Sequence, residues 1–125
     1  MAKFKIAQNP TFTIDVSIPR LGGDPIEVKF TYRALGRKQL AALYDKWSDA
    51  SKASRLDDDD ITFSLLAEAD MDTQVQQIKD VVVGWGFDDE FNEESIIALC
   101  DTSAHAAQAV IEAYHLAYAE QRTKN

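Results

Sequence analysis

Two stretches of strict alternation constrain this chain more than any other feature. In TFTIDVSI, Phe12, Ile14, Val16 and Ile18 alternate with Thr11, Thr13, Asp15 and Ser17; in IEVKFTYR, Ile26, Val28, Phe30 and Tyr32 alternate with Glu27, Lys29, Thr31 and Arg33. A period of two puts every second side chain on one face, so each stretch reads as a strand with one buried side. PRLGGDP between them is rich in turn residues and closes an antiparallel hairpin over 11–33. Facing Ile18 with Ile26 sets Phe12 opposite Tyr32 on the inner face. On the outer face Asp15 then meets Lys29 and Thr13 meets Thr31. These are favourable cross-strand pairs, and a slip of one residue would turn the whole apolar set to solvent. Gly22 and Gly23 lack the following Lys-Ser/Thr and the helix start of a phosphate-binding loop, so they read as turn residues.

A lone hairpin is marginal in water and needs a cover. Residues 36–48 offer one: Leu40, Leu43, Tyr44 and Trp47 recur at helical spacing, with Arg37, Lys38, Asp45 and Lys46 off the stripe. Residues 49–60 are polar and aperiodic, and read as a flexible linker. Asp57–Asp60 lack the spaced ligands of a calcium loop. Asp60 is instead expected to cap the next helix, the other three favouring its positive end.

Residues 61–84 read as helical, with a break expected near Asp70 or Asp72. Met71, Val75, Ile78, Val82 and Trp85 fall on one seam at intervals of four, three, four and three. KDVVVGWGFDDEF, residues 79–91, is then the hinge. Val81, Val82 and Val83 are apolar on all sides of a turn, which suits a helix end sunk in a core. Gly84 or Gly86 is expected to end it in the left-handed conformation. Trp85 and Phe87 should anchor the corner. Asn92, followed by Glu93 and Glu94, is a good N-cap for a short helix carrying Ile96, Ile97, Leu99 and Cys100. Asp101 or Ser103 caps a last helix over about 103–122, whose stripe is Ala106, Ala109, Val110, Ala113, Tyr114, Ala117 and Tyr118. So many alanines allow another helix to approach closely, within the fold or from another copy. Residues 123–125 read as a frayed tail.

The expected fold is therefore α+β and mainly α: one domain over 1–125, with an N-terminal antiparallel β-hairpin packed against a bundle of four to five helices in the region 61–122 and before it. The KFKI alternation near the start reads as an edge strand or a loose arm.

No catalytic constellation is visible. His105 and His115 lie ten residues apart on different faces of one helix, which is not the i, i+4 spacing of a two-histidine metal site. Cys100 reads as a small core residue, and nothing orients a histidine beside it. No metal, cofactor or enzyme activity is expected. A single cysteine permits no internal disulfide, which fits a reducing compartment. The N-terminus lacks the apolar core of a secretory signal, and no run approaches a membrane span. Charge is uneven: residues 1–55 hold ten Lys/Arg against five Asp/Glu, whereas residues 56–125 hold three against sixteen. Such an acidic half disfavours nucleic acid, whose binding rests on phosphate neutralisation, and favours a basic partner or contact between copies.

One run of residues carries a resemblance. Val82, Val83, Gly84 and Trp85 give V-x-G-W; Asp88 and Asp89 give an acidic turn before the aromatic Phe91. Then come N-E-E-S-I-I-A-L, with Asn92, Glu93, Ile97 and Leu99, and A-x-A-V-I-E-A-Y, with Ala109, Ile111 and Tyr114. In this order, and behind an N-terminal hairpin, the chain resembles the tail assembly chaperones of long-tailed bacteriophages. The resemblance implies a non-enzymatic helper in the cytoplasm of the bacterial host. It would bind and solubilise the tape measure protein, assist polymerisation of tail tube subunits around it, and be absent from the mature virion. It also implies a longer form made by ribosomal frameshifting; Thr123-Lys124-Asn125 admits coding as ACA-AAA-AAC, which contains the heptamer A-AAA-AAC. Partner or copy contacts are then expected from the last helix or the groove beside Trp85, that is from Trp85, Phe87, Val110, Ala113, Tyr114, Ala117 and Tyr118. Two other readings compete: a structural tail or head–tail joining protein, and an acidic regulator of a basic partner.

Overall fold

A computed structural model describes residue 6, residues 9–53 and residues 61–120. The first hairpin forms as the alternation requires. Strand β1 (Thr11–Arg20) pairs antiparallel with β2 (Gly23–Arg33), with Ile18 opposite Ile26, Phe12 opposite Tyr32, Asp15 opposite Lys29 and Thr13 opposite Thr31. On the outer face the Lys29 ammonium lies 3.0 Å from the Asp15 carboxylate and the two threonine hydroxyls 3.2 Å apart. Both are solvated contacts that tune register more than stability. Gly22 occupies the turn at φ 74°, where a Cβ would be strained.

Helix α1 (Arg37–Ala53) starts at Gly36, whose N–H is taken by the Gln39 side chain at 3.3 Å, the reaching-back half of a capping box. It runs past residue 48, so residues 49–53 of the expected linker are helical; the remainder, 54–60, lies outside the described residues. Helix α2 (Phe63–Val81) is continuous through Asp70 and Asp72, without the expected break. Its cap is Thr62, whose hydroxyl accepts from Leu65 N at 3.1 Å; Asp60, the expected cap, lies outside the described residues.

The hinge holds the main departure. Helix α2 stops at Val81, and Val82–Trp85 forms a third strand, β3, antiparallel to β2. The Val82 N–H still bonds to the Ile78 carbonyl, so the chain leaves the helix and enters the sheet within one residue. No left-handed glycine ends the helix: among the described residues Gly22 alone has positive φ. β-Branched valines satisfy an extended backbone at least as well as a helical one, and here the sheet claims them. Gly86 follows with its N–H on the Lys29 carbonyl at 2.7 Å.

Helix α3 (Glu93–Thr102) begins at Asn92, whose side chain accepts from Ser95 N at 2.9 Å. Helix α4 (Ala104–Glu120) follows after Ser103, whose hydroxyl accepts from His105 N at 3.1 Å. The fold is thus a three-stranded antiparallel sheet, order β1-β2-β3, with four helices. The cover of the hairpin is α4, which packs along β1, rather than the helix expected over 36–48. Helix α1 instead packs against α2, and its Tyr44 and Trp47 rings meet His115 of α4. The core joins the inner face of β1 and β2 to Val75, Ile78 and Val81 of α2, Ile96 and Cys100 of α3, and Ala106, Val110 and Tyr114 of α4. Each of its large apolar groups contributes about 1.5–3 kcal/mol. Of the N-terminal KFKI stretch only Ile6 is described, and its side chain is fully exposed.

Candidate functional site

Period two along β1 and period 3.6 along α4 bring two apolar stripes together, and the seam between them is open. Two clefts of about 520 Å³ each run along it. One is lined by Pro10, Thr11, Phe12, Leu35, Ala117 and Tyr118; the other by Ile14, Val16, Ala109, Glu112, Ala113 and Leu116, with Phe12 and Ala117 common to both. The alanines at four-residue spacing keep the helix wall low beside the strand.

On the strand wall, half of the main-chain groups point away from β2. Ala34 N donates to the Pro10 carbonyl at 2.9 Å, which makes this a hydrogen-bonded pair. Alternation then turns the main-chain groups of Phe12, Ile14 and Val16 toward β2 and those of Thr11, Thr13, Asp15 and Ser17 away from it. Among the described residues no strand lies on that side, since β1 ends the sheet.

The floor is held by tyrosines. The Tyr32 hydroxyl donates to the Val110 carbonyl at 2.7 Å, and that of Tyr114 to the Arg33 carbonyl at 3.2 Å. Tyr118 accepts from Leu35 N at 2.8 Å. Phe12 stacks on both Tyr32 and Tyr114. Burial pushes the Tyr32 and Tyr114 hydroxyls well above the ordinary phenol range, so they stay neutral donors.

The seven residues singled out in the sequence do not form one surface. Trp85 and Phe87 sit at the β3 side of the sheet, edge-on to each other and both against Phe30; Trp85 also donates to the Asp89 carbonyl at 2.8 Å and meets Phe91. Ala113, Ala117 and Tyr118 line the clefts at the other edge. Val110 and Tyr114 have no exposed surface, because β2 already occupies their stripe.

A further exposed apolar group escaped the periodicity argument. Ile61, Phe63, Leu65 and Leu66 stand exposed around the start of α2, Phe63 at 93%. The seam at Met71–Trp85 drew attention to the far end of this helix. The readable signal was that these four residues continue the apolar content of α2 off that seam.

Elsewhere the polar chemistry is structural. Asp80 accepts from Trp47 Nε1 at 2.8 Å, Lys46 Nζ at 3.0 Å and Gln76 Nε2 at 3.1 Å. Burial alone would raise its pKa, but these three donors outweigh it and hold the carboxyl below the usual range. Burial lowers His115, against the opposing pull of Glu112. Among the described residues no group of three or more His, Cys, Asp or Glu could hold a metal ion, and no helix is long and apolar enough to cross a membrane.

A family model described as phage tail assembly chaperone matches residues 1–125. No curated protein and no solved structure matches the chain.

Proposed function

This chain belongs to the phage tail assembly chaperone family, and from that premise we propose that it binds the tape measure protein in the host cytoplasm, keeps it soluble, and assists tail tube polymerisation without remaining in the virion. The match over residues 1–125 carries this reading. Two features of the molecule support it. A chaperone for a long apolar partner needs exposed apolar surface, and among the described residues Phe63, Leu65 and Leu66 supply some. The acidic second half suits a partner with basic segments and keeps a protein with exposed apolar groups dispersed. Its role is non-enzymatic, with several copies acting on one partner.

Mass spectrometry of purified virions, together with electron microscopy of lysates from a phage lacking this gene, tests the proposal. The expected result is mature particles without the protein and mutant lysates that hold heads but no tails. Stoichiometric amounts in the virion would overturn it in favour of a structural tail component.

A further inference from the structure

We infer that the edge of β1, unpaired among the described residues, together with the cleft between it and α4, receives an extended segment of the partner polypeptide as a fourth strand, one that carries apolar residues at every second position and a Lys or Arg within reach of Glu112. The inference rests on the proposed function and adds where and in what conformation the partner binds.

Sheet edges in folded proteins are blunted by charge, proline, bulges or brevity. The β3 edge follows that rule: it has four residues and includes Gly84. The β1 edge is less blunted: within Thr11–Ile18 its one charged side chain is Asp15, which Lys29 pairs. It runs for ten residues, its register is regular from Thr11 to Ile18, and its only proline, Pro19, lies beyond that stretch. Thr11, Thr13, Asp15 and Ser17 are small, and their outward N–H and C=O groups form the ladder that strand addition uses. The cleft supplies the second element of recognition. An added strand would set alternate side chains beside Ile14 and Val16 and above Ala109 and Ala113, where the helix wall is low.

Charge identifies the occupant. Of the described residues that line the two clefts, Asp15 and Glu112 are charged, both acidic: Glu112 stands on the helix wall, and the Asp15 carboxylate lies on the outer face of the hairpin. Lys29 answers Asp15 on that outer face, whereas Glu112 takes a hydrogen bond from the neutral Gln108 amide at 3.0 Å and pulls on the His115 ring, and no lysine or arginine pairs with it among the described residues. A basic residue on the incoming strand completes the set. A second copy of this chain, paired edge to edge, would bring another Asp15 and Glu112 to the same seam.

The test uses the full chain co-expressed with the tape measure protein, as wild type, Thr13→Pro and Glu112→Lys. Thr13→Pro removes an N–H that β2 does not use and obstructs a fourth strand; Glu112→Lys reverses the cleft charge on an exposed side chain. The expected result is at least a ten-fold loss of co-purified partner for each variant with unchanged thermal unfolding. In the wild-type complex the Thr11, Thr13, Asp15 and Ser17 amides should gain protection from hydrogen exchange. If both variants capture the partner as the wild type does, or if those amides gain no protection in the complex, the edge is not the binding site. Variants that dissociate a wild-type dimer and leave capture unchanged would assign the edge to copy–copy contact and overturn the inference. If the wild type itself captures nothing, the proposed function fails and this inference with it.

Discussion

The Tyr32 hydroxyl reaches 2.7 Å to the Val110 main-chain carbonyl, joining the central strand to the last helix across 78 residues of chain. Both residues are fully buried, and Val110 offers an acceptor with a second lone pair beyond its helical bond. Together with the Tyr114 bond to the Arg33 carbonyl it ties α4 to the sheet beside the seam at β1. Tyr32→Phe keeps the ring stack with Phe12 and removes only the donor. It should cost about 1–2 kcal/mol in urea unfolding, with the m-value unchanged.

The Asp80 carboxyl is the clearest source of pH-dependent stability. Burial raises its folded-state pKa, but the bonds from Trp47, Lys46 and Gln76 and the Lys46 charge outweigh it and leave the carboxyl below the ordinary value of 3.8. A depressed carboxyl contributes stability that is complete above its unfolded value and lost as pH falls through the folded one. Wild type should therefore lose stability as pH drops below about 4, and Asp80→Asn should lose less over the same range. At neutral pH the variant should be less stable by about 1–2 kcal/mol. Parallel slopes of the two proteins in acid would show that Asp80 is not the group responsible.

The turn at Gly22 isolates a backbone effect. At φ 74° with no atom near a built Cβ, Gly22→Ala meets strain but no clash. The expected destabilisation is about 1 kcal/mol, measured by thermal unfolding, with hairpin register unaltered. Gly23→Ala, where φ is not positive and space is open, should change stability by much less.

Cys100 is buried between α3 and its neighbours, and burial, with a smaller effect of Asp70, pushes its thiol up to about 11. At pH 8 it should react with a thiol reagent at least ten times more slowly in the native protein than in denaturant. Equal rates would mean that α3 opens freely.

Most of the fold was legible from two periodicities. The register of β1 and β2 followed from one pairing, Ile18 with Ile26, because every other facing pair then made chemical sense. The cap at Asn92 was legible, and Ser103 was one of two candidates with Asp101, because Asn and Ser side chains satisfy helix-end N–H groups by short-range geometry. Val82–Trp85 was not legible as a strand. Valines after a long helix fit either backbone, and the choice depends on a free β2 edge that local sequence does not show. The cover of the hairpin failed for a related reason: α1 is adjacent in sequence, but the tyrosine bonds that lock a helix onto β2, Tyr32 to Val110 and Tyr114 to Arg33, are made with α4. The same tyrosines explain why Val110 and Tyr114 looked like surface. An apolar stripe announces burial without saying whether the partner is inside the fold. Phe63 and Leu66 were passed over because exposure is a property of the whole packing, not of their local spacing.

The exposed group at the start of α2 separates stability from function. Phe63→Asp removes an apolar side chain that rests on little, so unfolding should shift by no more than about 0.5 kcal/mol. If this surface shields the partner, the variant should leave more tape measure protein in the pellet of a co-expression lysate.

The most direct measurement is the solubility of the tape measure protein expressed with and without this chain, followed by affinity capture through the chain. The account predicts that the tape measure protein moves from pellet to supernatant and co-purifies with several copies of its chaperone. A tape measure protein that stays in the pellet while this chain elutes alone would contradict it.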